Sequence, residues 1–336
     1  MTPPARYAGR SNLARVLAAG HFAVAVEVLP PVGPNAEAVQ RQIDLLRGCA
    51  DVYNVTDNQS ARVHMASLAV SIMLKQAGME PVVQVTCRDR NRLAIQADLL
   101  GASAFGINTV LALGGDHVSM GDHPHARPVY DVDSINLVRM IRMMRDAQVF
   151  ENGKKIPKRG TDFFIGAVEN PFAPPYAFRP IRVAKKVVAG AQFIQTQLIY
   201  NVARFREFMA RIVDLGLHEK VAILAGVGPI RSLKAAEFMR SGVAGMEVPD
   251  GIVARLEAVS TKEDQEKVGI DLCCEIAAQV REIEGVRGLH IMAVSWPAAI
   301  PQIVERLGLG PRPVIPPVSW ELPADQFTPA CVIRDK

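Results

Sequence analysis

Residues 22–31 read FAVAVEVLPP, and this run decides the fold. From Phe22 to Leu29 it is apolar apart from Glu27, and Pro30-Pro31 stops it. A short apolar run bounded by breakers predicts a buried strand. A charged carboxylate inside such a strand is costly. At the strand's last residues it can instead face a cavity. If this is the first strand of a parallel barrel, that cavity is the catalytic face, where strand ends and βα loops build active sites. An edge-strand Glu in water, or one paired with a nearby Arg, is an equal reading at this point.

The rest of the chain repeats the unit. After the first strand, Asn35 is a plausible N-cap, and Val39, Ile43 and Leu46 recur at helical spacing up to Gly48. Further strands are expected at residues 51–56, 81–87, 108–113, 163–168, 192–197, 221–225 and 288–294. Helices are expected after each, near 65–76, 91–100, 134–146, 181–188, 202–215, 232–239 and 297–307. A short helix over 11–19 precedes the first strand. Asn152-Gly153 between short flanks predicts a hairpin insertion over 148–161. An extra helix after Pro249 and a long one from the STKE capping box at 260–263 precede the last strand. Strict alternation argues for a parallel sheet, and eight strands argue for a closed (β/α)8 TIM barrel. The chain lacks a GxGxxG after the first strand, so a Rossmann phosphate loop is unsupported. The expected organisation is one barrel over 1–310 and a Pro-rich tail over 311–336.

Composition agrees. A chain of 336 residues suits a barrel with additions. Its apolar content of 49% supports a large core, and 21% charged residues argue against disorder. The net charge of +4 is too mild and dispersed for a nucleic-acid surface. The five cysteines include no CxxC, so neither a disulfide framework nor a zinc site is indicated. Reduced thiols and a cytoplasmic location are expected. The N-terminus lacks an apolar signal core, and no run approaches the roughly 18 residues of a membrane span.

The barrel reading places Glu27, Thr56, Gln84, Asp116, Glu169, Gln197 and Gly226 at C-terminal strand ends. No Lys stands there, against a Schiff-base aldolase. Gly114-Gly115 before Asp116 lets backbone approach a flat ligand; a tight turn with a solvated Asp is the plainer alternative. Gln197 ends a buried strand, as a satisfied core amide or as a group that gives and takes hydrogen bonds at a pterin or flavin edge. Lys185 and Lys186 sit on a helix, facing solvent or a phosphate. His117 and His123 lie in a loop where solvated histidines are the ordinary case; no metal is expected.

AVEVLPP (25–31), NVTDN (54–58), VTC (85–87), ALGGD (112–116) and GAQFIQTQ (190–197), in this order and spacing, resemble the bacterial methylenetetrahydrofolate reductases. The resemblance covers roughly residues 20–310. It implies a flavin-dependent barrel that passes a hydride from a reduced donor through the flavin, FAD or FMN, to the methylene carbon of tetrahydrofolate. By resemblance Glu27 is the acid that protonates the folate nitrogen. Asp116 is the carboxylate between flavin and pterin, and Gln197 touches the folate. Thr56, Gly114, Gly115 and Tyr130 line the flavin, and Lys185 and Lys186 meet its ribityl-phosphate arm.

Four positions depart from the family. Gln84 stands where well-known members have a flavin-contacting His. Ala235 and Met239 replace a Gln and a Phe, of which the Phe stacks on the donor and the folate. Trp296 replaces an Arg at the folate tail. In this pattern the chain is similar to reductases of acetogenic bacteria, which work beside a small cysteine-rich partner subunit. The implied electron donor is therefore NAD(P)H or another protein, with an oligomer allowed for. A pterin-dependent methyltransferase barrel and a non-catalytic folate- or partner-binding subunit are the competing functions.

Overall fold

The computed structural model of the chain describes residues 11–157, 160–243 and 245–316. Residues 1–10 and most of the Pro-rich tail, residues 317–336, lie outside the described residues.

The strands are β1 (Ala23–Val28), β2 (Val52–Val55), β3 (Pro81–Thr86), β4 (Thr109–Leu113), β5 (Phe164–Glu169), β6 (Phe193–Leu198), β7 (Ala222–Val227) and β8 (Val286–Ile291). All neighbours pair in parallel, and β8 pairs with β1, so the sheet closes into a barrel in chain order. One helix follows each of the first six strands: α2 (Ala36–Leu46), α3 (Ser67–Gln76), α4 (Arg92–Ala104), α5 (Ser134–Asp146), α6 (Arg179–Ala189) and α7 (Val202–Asp214). Three helices, α8 (Leu233–Gly242), α9 (Asp250–Glu257) and α10 (Lys262–Arg281), separate β7 from β8, and α11 (Ala299–Arg306) ends the set. The inserted hairpin is present: Val149 bridges Lys155 in antiparallel fashion around Gly153 at φ +82°.

Strand alternation divides the barrel into two chemistries. Outward residues such as Val24, Val26 and Val28 pack against the helices in the main core. Inward residues near the strand starts form a separate apolar cluster that includes Ala25, Val52, Val82, Leu111, Phe164, Phe193 and Leu224. Phe164 and Phe193 stack there with ring centroids 5.3 Å apart. A Cβ on Gly166 would lie 2.1 Å from the Phe193 ring, so only glycine fits beside it. The helix expected at 11–19 is α1 (Asn12–Ala18), capped by Ser11. It has a role that its sequence does not announce. Leu13, Ala14, Val16 and Leu17 join the inward cluster and plug the lower end of the barrel. The polar inward residues that border the mouth lie above this plug, while Thr109, at its level, is paired with Ser11 at 2.8 Å.

The first tail residues strap the plugged end. Arg312 donates to Asp51 at 3.0 and 2.6 Å and to the carbonyls of Phe22 and Leu309. The Asp51 side chain is 0% exposed. Removing one partner of a buried pair leaves an uncompensated charge. Arg312→Ala is therefore expected to lower unfolding free energy by about 3–5 kcal/mol, measured by urea titration.

Candidate active site

A cavity of about 470 Å³ opens at the C-terminal mouth of the barrel, above the apolar plug. This is within the ordinary range of small-molecule sites. Its wall contains Glu27, Thr56, Gln84, Gly114, Gly115, Asp116, Lys186 and Gln197, so eight residues singled out from the sequence meet in one place. Glu27 faces inward because it lies two residues above Ala25, an inward residue of the plug. Among the described residues its carboxyl has no hydrogen-bond or ion-pair partner, and burial pushes its pKa up to about 7. A carboxyl there is half protonated near neutral pH and can work as a general acid.

The other acidic groups of the wall are all engaged. Asp57 accepts from the Thr86 amide at 2.9 Å, from its hydroxyl at 3.0 Å and from Arg90. Asp116 accepts from the Ser60 amide at 3.1 Å and is exposed at the rim. Glu169 follows Val168, which faces the cavity, and turns the opposite way, towards α6. There it pairs with Lys186 at 2.6 Å, Arg179 at 3.4 Å and Arg182 at 3.5 Å. Three cations around one carboxylate leave that wall with excess positive charge. Burial lowers the pKa of Lys186 against the opposing pull of Glu169.

The two glycines of ALGGD divide the work. Gly115 has φ +82°, which only glycine adopts freely, and makes the turn. A Cβ on Gly114 would meet nothing within 4 Å, so backbone is open to a ligand at that point. Thr56 is buried and its hydroxyl donates to Gln59 at 2.8 Å. Gln197 uses its side-chain oxygen on the Leu198 amide at 2.9 Å, which leaves its side-chain NH2 to the cavity.

Four expected site residues stand outside this wall. Lys185 lies over the Phe178 ring at 5.3 Å, because neighbours on a helix point about 100° apart. Met239 is buried, and the Tyr200 hydroxyl meets its sulfur at 3.6 Å. Trp296 lies under the Arg231 guanidinium at 5.6 Å. Tyr130 is 39% exposed, held by its amide to the Cys87 carbonyl.

Two features went unread in the sequence. Arg88 is buried and ties three loops together. It pairs with Asp89 at 2.7 Å and donates to the carbonyls of Asn58 at 3.0 Å and Asp116 at 3.1 Å. Asn54, Gln195 and His290 form a buried polar layer inside the barrel. Their inward register, two residues below the mouth, was the available signal.

The methylenetetrahydrofolate reductase family model matches residues 12–308. The chain belongs to that family. A Caenorhabditis elegans relative, a probable methylenetetrahydrofolate reductase (NADPH), is 24% identical over 80% of this chain and 37% of its own length. A Pectobacterium carotovorum 5,10-methylenetetrahydrofolate reductase is 22% identical over 87% of this chain and 92% of its own length. The chain thus spans about two fifths of the eukaryotic relatives and nearly all of the bacterial one. Among solved structures, a Clostridium thermocellum protein that binds two copies of 5-methyl-5,6,7,8-tetrahydrofolic acid superposes with TM-score 0.62 at 15% identity, covering 88% of this chain and 99% of that one. At that identity the likeness concerns the fold.

Glu27 makes stability depend on pH. Its folded pKa, about 7, is raised above the ordinary 4.5. The stabilisation of the neutral acid is complete below 4.5 and is lost as pH rises through about 7. The melting temperature of Glu27→Gln relative to wild type is therefore expected to climb between those two pH values and level off above them.

Proposed function

We propose that the chain interconverts 5,10-methylenetetrahydrofolate and 5-methyltetrahydrofolate with a bound flavin, as an oxidoreductase of one-carbon metabolism. The observation that carries this is Glu27: a carboxyl with no partner among the described residues, raised towards neutral pH, at the barrel mouth of a chain of this family. When bound, the flavin supplies the hydride, taken from a reduced donor.

The residues fit such a group. Gly114 leaves backbone open to a flat ring. Gln84 and Thr56 border the same wall. Arg179, Arg182 and Lys186 would hold a phosphate arm, since Glu169 cannot neutralise all three. This moves the anion contact from Lys185 to the two arginines. The flavin is FAD or FMN, as either carries phosphate.

Glu27 keeps its proton until a folate nitrogen is presented, then donates it, which favours ring opening at the methylene carbon. Gln197 and Asp116 offer donors and an acceptor to the pterin edge. That the Clostridium thermocellum protein of similar fold binds 5-methyl-5,6,7,8-tetrahydrofolic acid is in keeping with a folate ligand here. Met239 and Trp296 lie outside the cavity, so donor and folate tail are met differently from the family pattern. NAD(P)H, or an electron-carrying protein such as a cysteine-rich partner subunit, is the proposed donor.

The test is direct. The purified protein is expected to be yellow, with a flavin that mass spectrometry identifies. Glu27→Gln should retain the flavin and lose about 10²–10⁴-fold in folate turnover. In the direction of methylene reduction, wild-type rate should fall as pH rises through about 7, because the acid must be protonated. A colourless protein that transfers methyl groups to a corrinoid would replace this function with the methyltransferase one.

A further inference from the structure

Below Glu27 lies a polar layer with no counterpart in the apolar plug. Asn54 on β2 donates through its side-chain nitrogen to the Gln195 side-chain oxygen on β6 at 2.9 Å. The same nitrogen donates to His290 Nε2 on β8 at 2.7 Å. With Nε2 accepting, the ring proton is assigned to Nδ1. The three side chains span the barrel interior and are buried, at 0%, 1% and 3% exposure respectively.

Each still has an unspent polar atom. Asn54 Oδ1, Gln195 Nε2 and His290 Nδ1 are buried with no hydrogen-bond partner among the described residues. Buried donors and acceptors are almost always paired, because leaving one bare is costly. Three in one connected group mark a site that something polar completes.

The register says what is nearest. Glu27 pairs with Asn54 across β1 and β2. His290 pairs with Ala25, two residues below Glu27 on the same inward face. Gln195 and His290 border the same cavity as Glu27. Further down, Ala25, Val52 and Leu224 offer no polar group. Other charged groups in the wall already have partners: Asp57 with Arg90, Arg88 with Asp89, and Glu169 with Lys186, Arg179 and Arg182. Asp116 caps the Ser60 amide. Glu27 and the Asn54 layer thus border one cavity on neighbouring inward positions, and both have unspent hydrogen-bonding capacity.

We propose that Asn54, Gln195 and His290 are a positioning network for Glu27, in which Asn54 orients the other two and Gln195 and His290 offer neutral hydrogen-bond donors to the carboxylate left behind when its proton moves to the substrate. The proton passes from the Glu27 carboxyl oxygen to a folate nitrogen. No electrons move, and His290 Nδ1–H and Gln195 Nε2–H keep their protons throughout. Neutrality matters here. Burial pushes His290 down to about 3, so the ring carries no charge at working pH. A cation in that place would strip the acid of its proton before substrate arrived. Neutral donors leave it protonated, yet do not leave the anion bare. The inference rests on reading Glu27 as the acid.

The test uses the full chain and follows the Glu27 carboxyl by carbon-13 NMR or infrared titration, with Glu27→Gln to assign the signal. This measurement requires no turnover, so it stands whether or not the reductase activity is found. Gln195→Met and His290→Leu remove a donor at similar volume. Each is expected to shift the Glu27 ionisation constant about tenfold towards the neutral acid, one pKa unit. His290→Gln, which restores a donor, should recover most of that shift. Thermal unfolding identifies variants that fold, and Asn54→Ser serves as the milder lesion if Gln195→Met does not. In turnover, Gln195→Met should lower kcat with KM for the folate unchanged, and add nothing in the Glu27→Gln background. A Glu27 titration that stays put in all folded variants overturns the proposal. So does a change in folate KM with the titration unmoved, which would make the layer a substrate contact.

Discussion

The site depends on how hard it is to ionise one carboxyl. Glu27 is raised towards neutral pH by burial alone, with no neighbouring charge contributing. That condition needs two constructions. Water must be kept from below, which the inward cluster and α1 do. Every cation of the mouth must be occupied elsewhere, and Arg88, Arg90, Arg179, Arg182 and Lys186 each sit on a carboxylate other than Glu27. An unpaired arginine beside Glu27 would favour the anion by direct attraction and hold the carboxyl ionised at neutral pH.

The rim is held by strain and by one guanidinium. Asn58, Ser60 and Ala61 have φ of 48°, 55° and 54°, unusual for residues with a Cβ. Such a backbone persists only where its surroundings over-determine it. Here Arg88 holds the Asn58 carbonyl, Asp116 holds the Ser60 amide, and Asp122 holds the Val63 amide at 3.2 Å. Gly121 lets the two loops touch, since a Cβ there would lie 1.8 Å from the Ala61 carbonyl oxygen. The loop after β2 and the loop after β4 are therefore one unit, and the position of Asp116 follows from both.

Much of this was legible from residue order. Buried strands such as AVAV and VLAL are short apolar runs, and helices carry caps at Ser11, Asn35, Asn91, Asp133 and Asn201 that bond as their type predicts. Period two along each strand then places Glu27, Gln84 and Gln197 on the inner face. What could not be read depends on contacts between distant segments. The plug formed by α1 needs its four apolar residues matched to strands on the far side of the barrel. Asn54 looks like an ordinary strand residue until Gln195 and His290, 141 and 236 residues away, are brought to it. Arg88, in the alternating charges of RDR at 88–90, has no pattern that distinguishes it from solvated neighbours.

The lysine pair shows why spacing has to be read on the helix and not along the chain. Adjacent positions on α6 cannot face the same wall, so of Lys185 and Lys186 only one reaches the cavity. The residues that share its face stand at intervals of three and four. Arg179, Arg182 and Lys186 obey that rule, and all three converge on Glu169. R-x-x-R-x-x-x-K after a strand that ends in Glu was the signal present in the sequence. It describes a cationic stripe anchored by a carboxylate that is itself 2% exposed in its side chain. The anchor fixes the stripe in place, and its single charge leaves that wall with net positive charge.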